Sequence, residues 1–291
     1  MNENIFREAC LIQLSTPCWM GSRMLASSIM EQIGDCEWVR GRKYLVDQET
    51  LSPIRSVISR ARKDLEKGAL PFPITGLTLV PKDCLNRIEE QLREYQTEFW
   101  EEVDDFIAHY EDARENAKMN LGDLFNELDY PVDIRSKFGF EWRFFTLGTP
   151  GKHSILTPEI YERELAKFQS MMEETRDLAM AALRQEFADH VDHIVERLTK
   201  SPDGKPKIFK NSMIEKTQEF LDSFTSRNLF NDDSLAGLVA EAKEIIGGVK
   251  PGWIREDVQL QRHVREKLTA VKELVDRSIV DLPRRKIRIA A

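Results

Sequence analysis

Between Tyr161 and Leu198 the seam positions fall mostly three and four residues apart: Tyr161, Leu165, Phe168, Met172, Ala179, Ala182, Phe187, His190, Ile194 and Leu198. Such spacing puts them on one stripe of a helix and calls for a partner helix along that stripe. Thr157 before Pro158 is a start signal, a capping hydroxyl followed by a proline suited to the first turn, and Ser201-Pro202-Asp203-Gly204 is the next stop. One continuous helix is therefore predicted from Thr157 to about Lys200. A second stripe, Leu85, Ile88, Leu92, Tyr95, Phe99, Phe106, Tyr110, Ala113 and Ala117, predicts another from Asp83 to about Met119. At a rise of about 1.5 Å per residue the two would run to about 65 and about 55 Å. They are expected to pair as an antiparallel hairpin, with the segments around Phe99 and Met172 side by side.

Shorter patterns flank this pair. Cys10, Ile12 and Leu14 alternate with other side chains and predict a strand ending at Pro17. Residues 22–33 predict a short helix stopped at Gly34, and Thr50 to Lys67 a longer one that turns Ile54, Val57, Ile58, Ala61 and Leu65 inward and carries Arg55 and Arg62 on its other face. Three prolines keep residues 71–81 extended. Ser212 with Glu215 is a capping-box signature for a helix to about Arg227. Asp232 or Asp233 caps a helix over 234–246, and a last helix runs from about Asp257 to Val280 through Val264, Leu268, Val271 and Val275. The fold class expected is mainly α: a long antiparallel coiled-coil-like helical hairpin (83–200, with an aromatic-rich insertion at 120–156), a small α+β base (1–82), and a helical C-terminal region (201–291) with a basic tail.

Charge narrows the classes of partner. The chain of 291 residues carries a net charge of −8. Residues 83–119 hold 12 acidic against 4 basic side chains, whereas both ends are basic. A nucleic-acid duplex along the long helices would meet phosphate repulsion, so contact with nucleic acid is left to the ends: Arg40, Arg42 and Lys43, with Arg55 and Arg62, and Arg284, Arg285, Lys286 and Arg288. The same tail could instead meet an acidic partner surface or lie solvated. No apolar run approaches the roughly 18 residues of a membrane span, and none near the start has the form of a secretory signal. Cys10, Cys18, Cys36 and Cys84 form no CxxC pair and read as reduced thiols of a cytoplasmic protein.

Candidate chemistry is sparse. Phe138, Phe140, Trp142 and Phe144 alternate with Gly139, Glu141 and Arg143, as in a strand that buries one aromatic face. They either seal a satellite core or form a docking surface for a protein partner. Glu186, His190 and His193 bring an acid and two imidazoles near one helix face, but the order is neither HExxH nor the paired Glu-x-x-His of di-iron bundles, and His190 lies on the seam. No glycine-rich phosphate loop and no Gly-x-Ser-x-Gly occurs. The expectation is a protein without catalytic residues, metal or cofactor.

Four stretches carry a resemblance: Gly41-Arg42-Lys43-Tyr44-Leu45-Val46-Asp47, the Phe-x-Phe-x-Trp of 138–142, Leu235 to Val249, and Pro283-Arg284-Arg285-Lys286-Ile287. On these the chain resembles a bacterial and mobile-element family catalogued as domain of unknown function 3150. Such proteins are encoded beside MoxR-type AAA+ ATPases and von Willebrand factor A-domain proteins. The resemblance implies an accessory or adaptor subunit of an ATP-driven remodelling system, with the AAA+ ATPase, or a second copy in a homo-oligomer, as partner. The expected function is a non-enzymatic interaction protein. The alternative is a nucleic-acid-binding protein of a phage or mobile element that uses its basic ends.

Overall fold

The structure is a computed structural model, and it describes residues 5–32, 34, 38, 40–148, 157–199, 211–247 and 257–280. In chain order the elements are α1 (Ile5–Glu8), β1 (Ala9–Ser15), β2 (Ser22–Met24), α2 (Ser27–Met30), β3 (Arg42–Tyr44), α3 (Ser52–Gly68), β4 (Leu70–Pro71), β5 (Thr78–Pro81), α4 (Lys82–Ala108), α5 (Tyr110–Leu121), β6 (Glu141–Phe145), α6 (Pro158–Leu198), α7 (Asn211–Arg227), α8 (Asp233–Ile246) and α9 (Val258–Val280). The chain is mainly α, with a small amount of antiparallel sheet.

Local signals explain the starts of two helices. Thr157 is extended (φ −66°, ψ 156°), and its hydroxyl accepts from the Ile160 N–H at 3.4 Å, so α6 starts where a cap and a proline coincide and runs unbroken for 41 residues. Asp232 caps α8 in the same way, its carboxylate accepting from the Leu235 N–H at 3.1 Å. The helix expected from Asp83 to Met119 is interrupted. His109 has φ −103° and ψ 6°, its N–H reaches only the Phe106 carbonyl, and its ring Nδ1 holds the Asp105 carbonyl at 2.9 Å. The side chain thus occupies the acceptor its own backbone would use in a continuous helix. The helix expected over 22–33 is also corrected. Ser22 to Met24 pair with Tyr44 to Arg42, leaving only Ser27–Met30 helical.

The described residues divide into two compact units whose chain segments interleave. One takes the residues up to Leu11, Gly68–Leu85 and those from Phe145 onward; the other takes Ile12–Lys67 and Asn86–Phe144. The strand order is β4-β5-β1-β6, and the chain passes from one unit to the other within β1 and at the end of β6.

The mixed unit, Ile12–Lys67 with Asn86–Phe144, packs α3 on α4. Ile54, Val57, Ala61 and Leu65 are buried on α3, as are Ile88, Leu92, Phe99 and Phe106 on α4. Polar ties flank this seam: the Tyr95 hydroxyl donates to Asp64 at 2.5 Å, and Arg60 pairs with Glu98. A run of ring contacts continues the core, from Phe140 to Phe99 (5.5 Å between centroids), from Phe138 to Phe106 (5.8 Å), and from Phe106 and Tyr110 to Trp19.

The helical unit has its core where α6, α7, α8 and α9 meet the β4–β5 hairpin. Phe187, Val191 and Ile194 of α6 share one buried cluster with Ile214, Phe220 and Phe224 of α7, Leu235 and Val239 of α8, Val264, Leu268, Val271 and Val275 of α9, and Leu70 and Leu79. The partner described for the C-terminal half of α6 is not the helix expected over 83–119. α6 does lie antiparallel to a long helix, but that helix is α9: Asp192 pairs with Lys272, while Arg184, eight residues back, donates to the Ser278 carbonyl at 2.9 Å. Of the stripe read over 157–200, the part from Ala179 to Leu198 belongs to this cluster. An apolar repeat specifies that a helix has a partner and carries no information on which one.

Candidate functional site

In the mixed unit the segment 122–137 is a series of single 3-10 turns, Gly122–Leu124, Glu127–Asp129 and Arg135–Lys137. Asn126 and Asp133 fold it locally, their side chains accepting from the Leu128 and Ser136 N–H groups. Asp129 fixes it to the β2–β3 hairpin, pairing with Arg23 at 3.1 Å and Lys43 at 2.6 Å, and Lys43 also donates to the Leu124 carbonyl at 2.6 Å. Between hairpin and turns lies a hollow of about 440 Å³ lined by Trp19, Arg23, Leu45, Leu128, Tyr130 and Val132, among others. A chain in single turns has no periodic face to bury, so its apolar side chains divide. Tyr130 is buried with its hydroxyl unpartnered, and burial raises its pKa, whereas Leu128 and Val132 stand 86% and 108% exposed on the rim. Arg114 lies over both the Tyr110 and Tyr130 rings, at 5.8 and 5.3 Å, and binds Glu111 and Glu127.

In the helical unit a cleft of about 780 Å³ opens between α6 and α7. Glu186, Asp189, His190, His193 and Arg197 line it from one face of α6, and Ser212, Met213, Lys216 and Thr217 from the first turns of α7. Thr217 is fully buried, donates to the Met213 carbonyl at 2.9 Å, and stands 3.4 Å from His190 Nδ1. The His190 ring lies 5.3 Å from that of Phe220. Burial holds this imidazole below its ordinary pKa; the carboxylates of Glu186 and Asp189 pull upward, and Arg227 and His193 push it further down.

The residues singled out from the sequence are scattered. Phe138 and Phe140 are core, Phe140 being further tied by Gln96 donating to its carbonyl at 2.7 Å. Trp142 is half-buried and Phe144 exposed, so any partner contact by this stretch falls to its distal end. The strand itself is shorter than the alternation implied, beginning only at Glu141. Arg40 and Arg42 are exposed, but Lys43 is held by Asp129, Arg55 by Gln48 and the Met20 carbonyl, and Arg62 by Thr16. The tail residues Arg284, Arg285, Lys286 and Arg288 lie outside the described residues, as does Cys36. Cys10, Cys18 and Cys84 are free thiols, and burial raises the pKa of Cys10 and Cys18. Glu186 is engaged by Arg227, and among the described residues no group of three or more His, Cys, Asp or Glu is placed to hold a metal ion. Among those residues, too, no helix is long and apolar enough to cross a membrane.

Sequence reading missed Leu128 and Val132. The available signal was negative: in Glu127-Leu-Asp-Tyr-Pro-Val-Asp133 each aliphatic residue sits alone among acids and a proline, with no apolar neighbour at helix or strand spacing.

A family model described as a protein of unknown function, DUF3150, matches residues 6–202. That match takes in the hollow of the mixed unit and the α6 wall of the cleft, whereas the α7 wall falls beyond it. No curated protein and no solved structure matches the chain.

Proposed function

The chain belongs to the DUF3150 family of proteins of unknown function, and from its surface and the resemblance set out above we propose that it is a non-enzymatic interaction protein. Its role in this reading is that of an accessory subunit working with a MoxR-type AAA+ ATPase and a von Willebrand factor A-domain protein. The observation that carries the interaction reading is the exposed pair Leu128 and Val132 on the rim of a hollow that also exposes part of Trp19. A lone exposed aliphatic side chain is ordinary. Two of them, fixed beside a concave aromatic site by the ion pairs of Asp129, form a preorganised apolar anchor. Covering both would contribute roughly 1.5–3 kcal/mol for each side chain. Phe144 and Phe145, exposed on β6, add apolar surface on the strand that ends the sheet order. The identity of the partners rests on the resemblance alone.

Gel filtration of the chain mixed with a MoxR-type AAA+ ATPase from the same host, with and without ATP, tests the proposal. Co-elution supports it, and separate elution under both conditions contradicts it. The nucleic-acid alternative retains the exposed Arg40 and Arg42, while Lys43, Arg55 and Arg62 are engaged internally. It requires a labelled oligonucleotide to bind at low salt and to be released steeply as salt rises.

A further inference from the structure

The cationic side chains of α6 fall into two groups. Arg163 and Lys167 meet Glu164, Arg176 meets Asp177, and Arg184 binds Asp232 through two hydrogen bonds. Arg197 meets no carboxylate among the described residues, and its Nε is buried without a hydrogen-bond partner. It lines the cleft between α6 and α7, where the facing helix contributes Lys216, exposed and likewise without a carboxylate partner among the described residues. Of the two carboxylates lining the same cleft, Glu186 is neutralised by Arg227 through bonds of 3.1 and 2.6 Å, whereas Asp189 accepts only from the neutral Gln185 and keeps its charge. The cleft therefore holds two cations without a carboxylate partner against one unneutralised carboxylate, a surplus of one positive charge. It also contains Ser212 in the first turn of a 17-residue helix, the end whose dipole favours an anion. A planar guanidinium, an ammonium and helix-terminal N–H groups together suit the tetrahedral oxygens of phosphate.

We propose that this cleft binds the phosphate group of a small phosphorylated molecule, with Arg197 and Lys216 as its charged contacts and Ser212 as a neutral donor. At about 780 Å³ the cleft exceeds what a bare phosphate fills and lies within the range of about 300–1,000 Å³ for sites of small organic ligands. Ile194 and Met213 supply an apolar wall for the remainder of such a molecule. The residues of this cleft belong to the helical unit, and Leu128 and Val132 to the mixed unit.

Calorimetric titration of the full chain with AMP, and separately with inorganic phosphate, at constant ionic strength tests this site. Saturable binding of AMP is expected, at least about tenfold weaker in both Lys216→Gln and Arg197→Gln, with ring-proton shifts at His190 and His193 on binding. Lys216 is exposed, so its variant keeps the fold, and a thermal melt verifies the same for the Arg197 variant. Inorganic phosphate that binds more weakly than AMP, with the same dependence on the two variants, supports a phosphate subsite extended by the apolar wall; equal affinity supports recognition of phosphate alone. Absence of saturable binding by either probe, or binding unchanged in both variants, overturns the proposal.

Discussion

Arg227 grips Glu186 across α6 and α7 with both terminal nitrogens, at 3.1 and 2.6 Å, and its guanidinium carbon lies 5.8 Å from the centroid of the Phe220 ring. The arginine side chain is 3% exposed, whereas the carboxylate is 30% exposed. Removing the carboxylate charge leaves a buried cation with weakened compensation, so Glu186→Gln is expected to cost about 1–3 kcal/mol, below the full penalty of a wholly buried pair because Glu186 keeps water access. Urea unfolding of the purified variant reads this as a lower midpoint at unchanged slope. An unchanged midpoint would mean that the pair is structurally neutral.

His190 makes the same helix interface sensitive to acid. Its folded pKa lies below the unfolded value, chiefly through burial, with Glu186, Asp189 and His193 on its own helix and Arg227 and Thr217 on α7 as its neighbours. As pH falls through the unfolded value of about 6.5, the unfolded chain takes up the proton first, and stability is lost from there downward. Thermal melts between pH 8 and 5 should show a steeper fall for the wild type than for His190→Gln. Parallel curves for the two proteins would refute this.

Gly139 touches Pro17 closely. Its N–H donates to the Pro17 carbonyl at 2.9 Å, and a Cβ added there would come within 2.9 Å of the proline Cγ. A proline ring cannot swing aside, so Gly139→Ala must displace backbone and is expected to destabilise by about 1–3 kcal/mol. Differential scanning calorimetry of this variant beside Gly148→Ala, where an added Cβ meets nothing within 4 Å, separates the contact from a general effect of replacing glycine.

Two tyrosines are predicted to titrate late. Burial first, and then the hydrogen bond to Asp64 and its charge, push Tyr95 up to about 12; burial foremost pushes Tyr110 to about 12. In an alkaline titration followed by tyrosinate absorbance, Tyr95→Phe and Tyr110→Phe should each remove part of the step near pH 12 and leave the step near 10 unchanged. Loss from the lower step would place that tyrosine in water.

The elements that could be read from sequence are those governed by local chemistry. Thr157-Pro158 and Asp232 mark helix starts because a cap acts within three residues, and α6 and α9 announce their buried stripes directly. Pairing was not legible. α4 and α6 carry similar repeats, yet from Ala179 to Leu198 α6 packs with α9 and α7, and a periodicity does not name its partner. His109 was hidden for another reason: its imidazole takes a carbonyl only four residues back, a local contact that leaves no mark in the spacing of apolar residues. Of the aromatic run, Phe138 and Phe140 followed the core reading, and only the end of the run reaches the surface. The cleft was half visible, in Glu186, His190 and His193; its other wall arrives from α7, and no spacing within one helix could indicate that Lys216 and Arg197 share a cavity.

The Leu128–Val132 rim predicts a separation of binding from stability. Both side chains are already in water, so Leu128→Asp with Val132→Asp should leave the melting temperature within about 1–2 °C of wild type, whereas a core change would not. Circular dichroism melts check this, and a large loss of stability would show that these side chains are covered within the chain itself.

The most direct measurement is the dissociation constant of the full chain for the MoxR-type ATPase in the presence of ATP, determined side by side for wild type and for the variant carrying both Leu128→Asp and Val132→Asp. The expected result is measurable affinity for the wild type and a loss of at least about tenfold in the variant, with folding intact. Equal affinity for the two proteins, or none for the wild type, would contradict an interaction protein that docks through this rim.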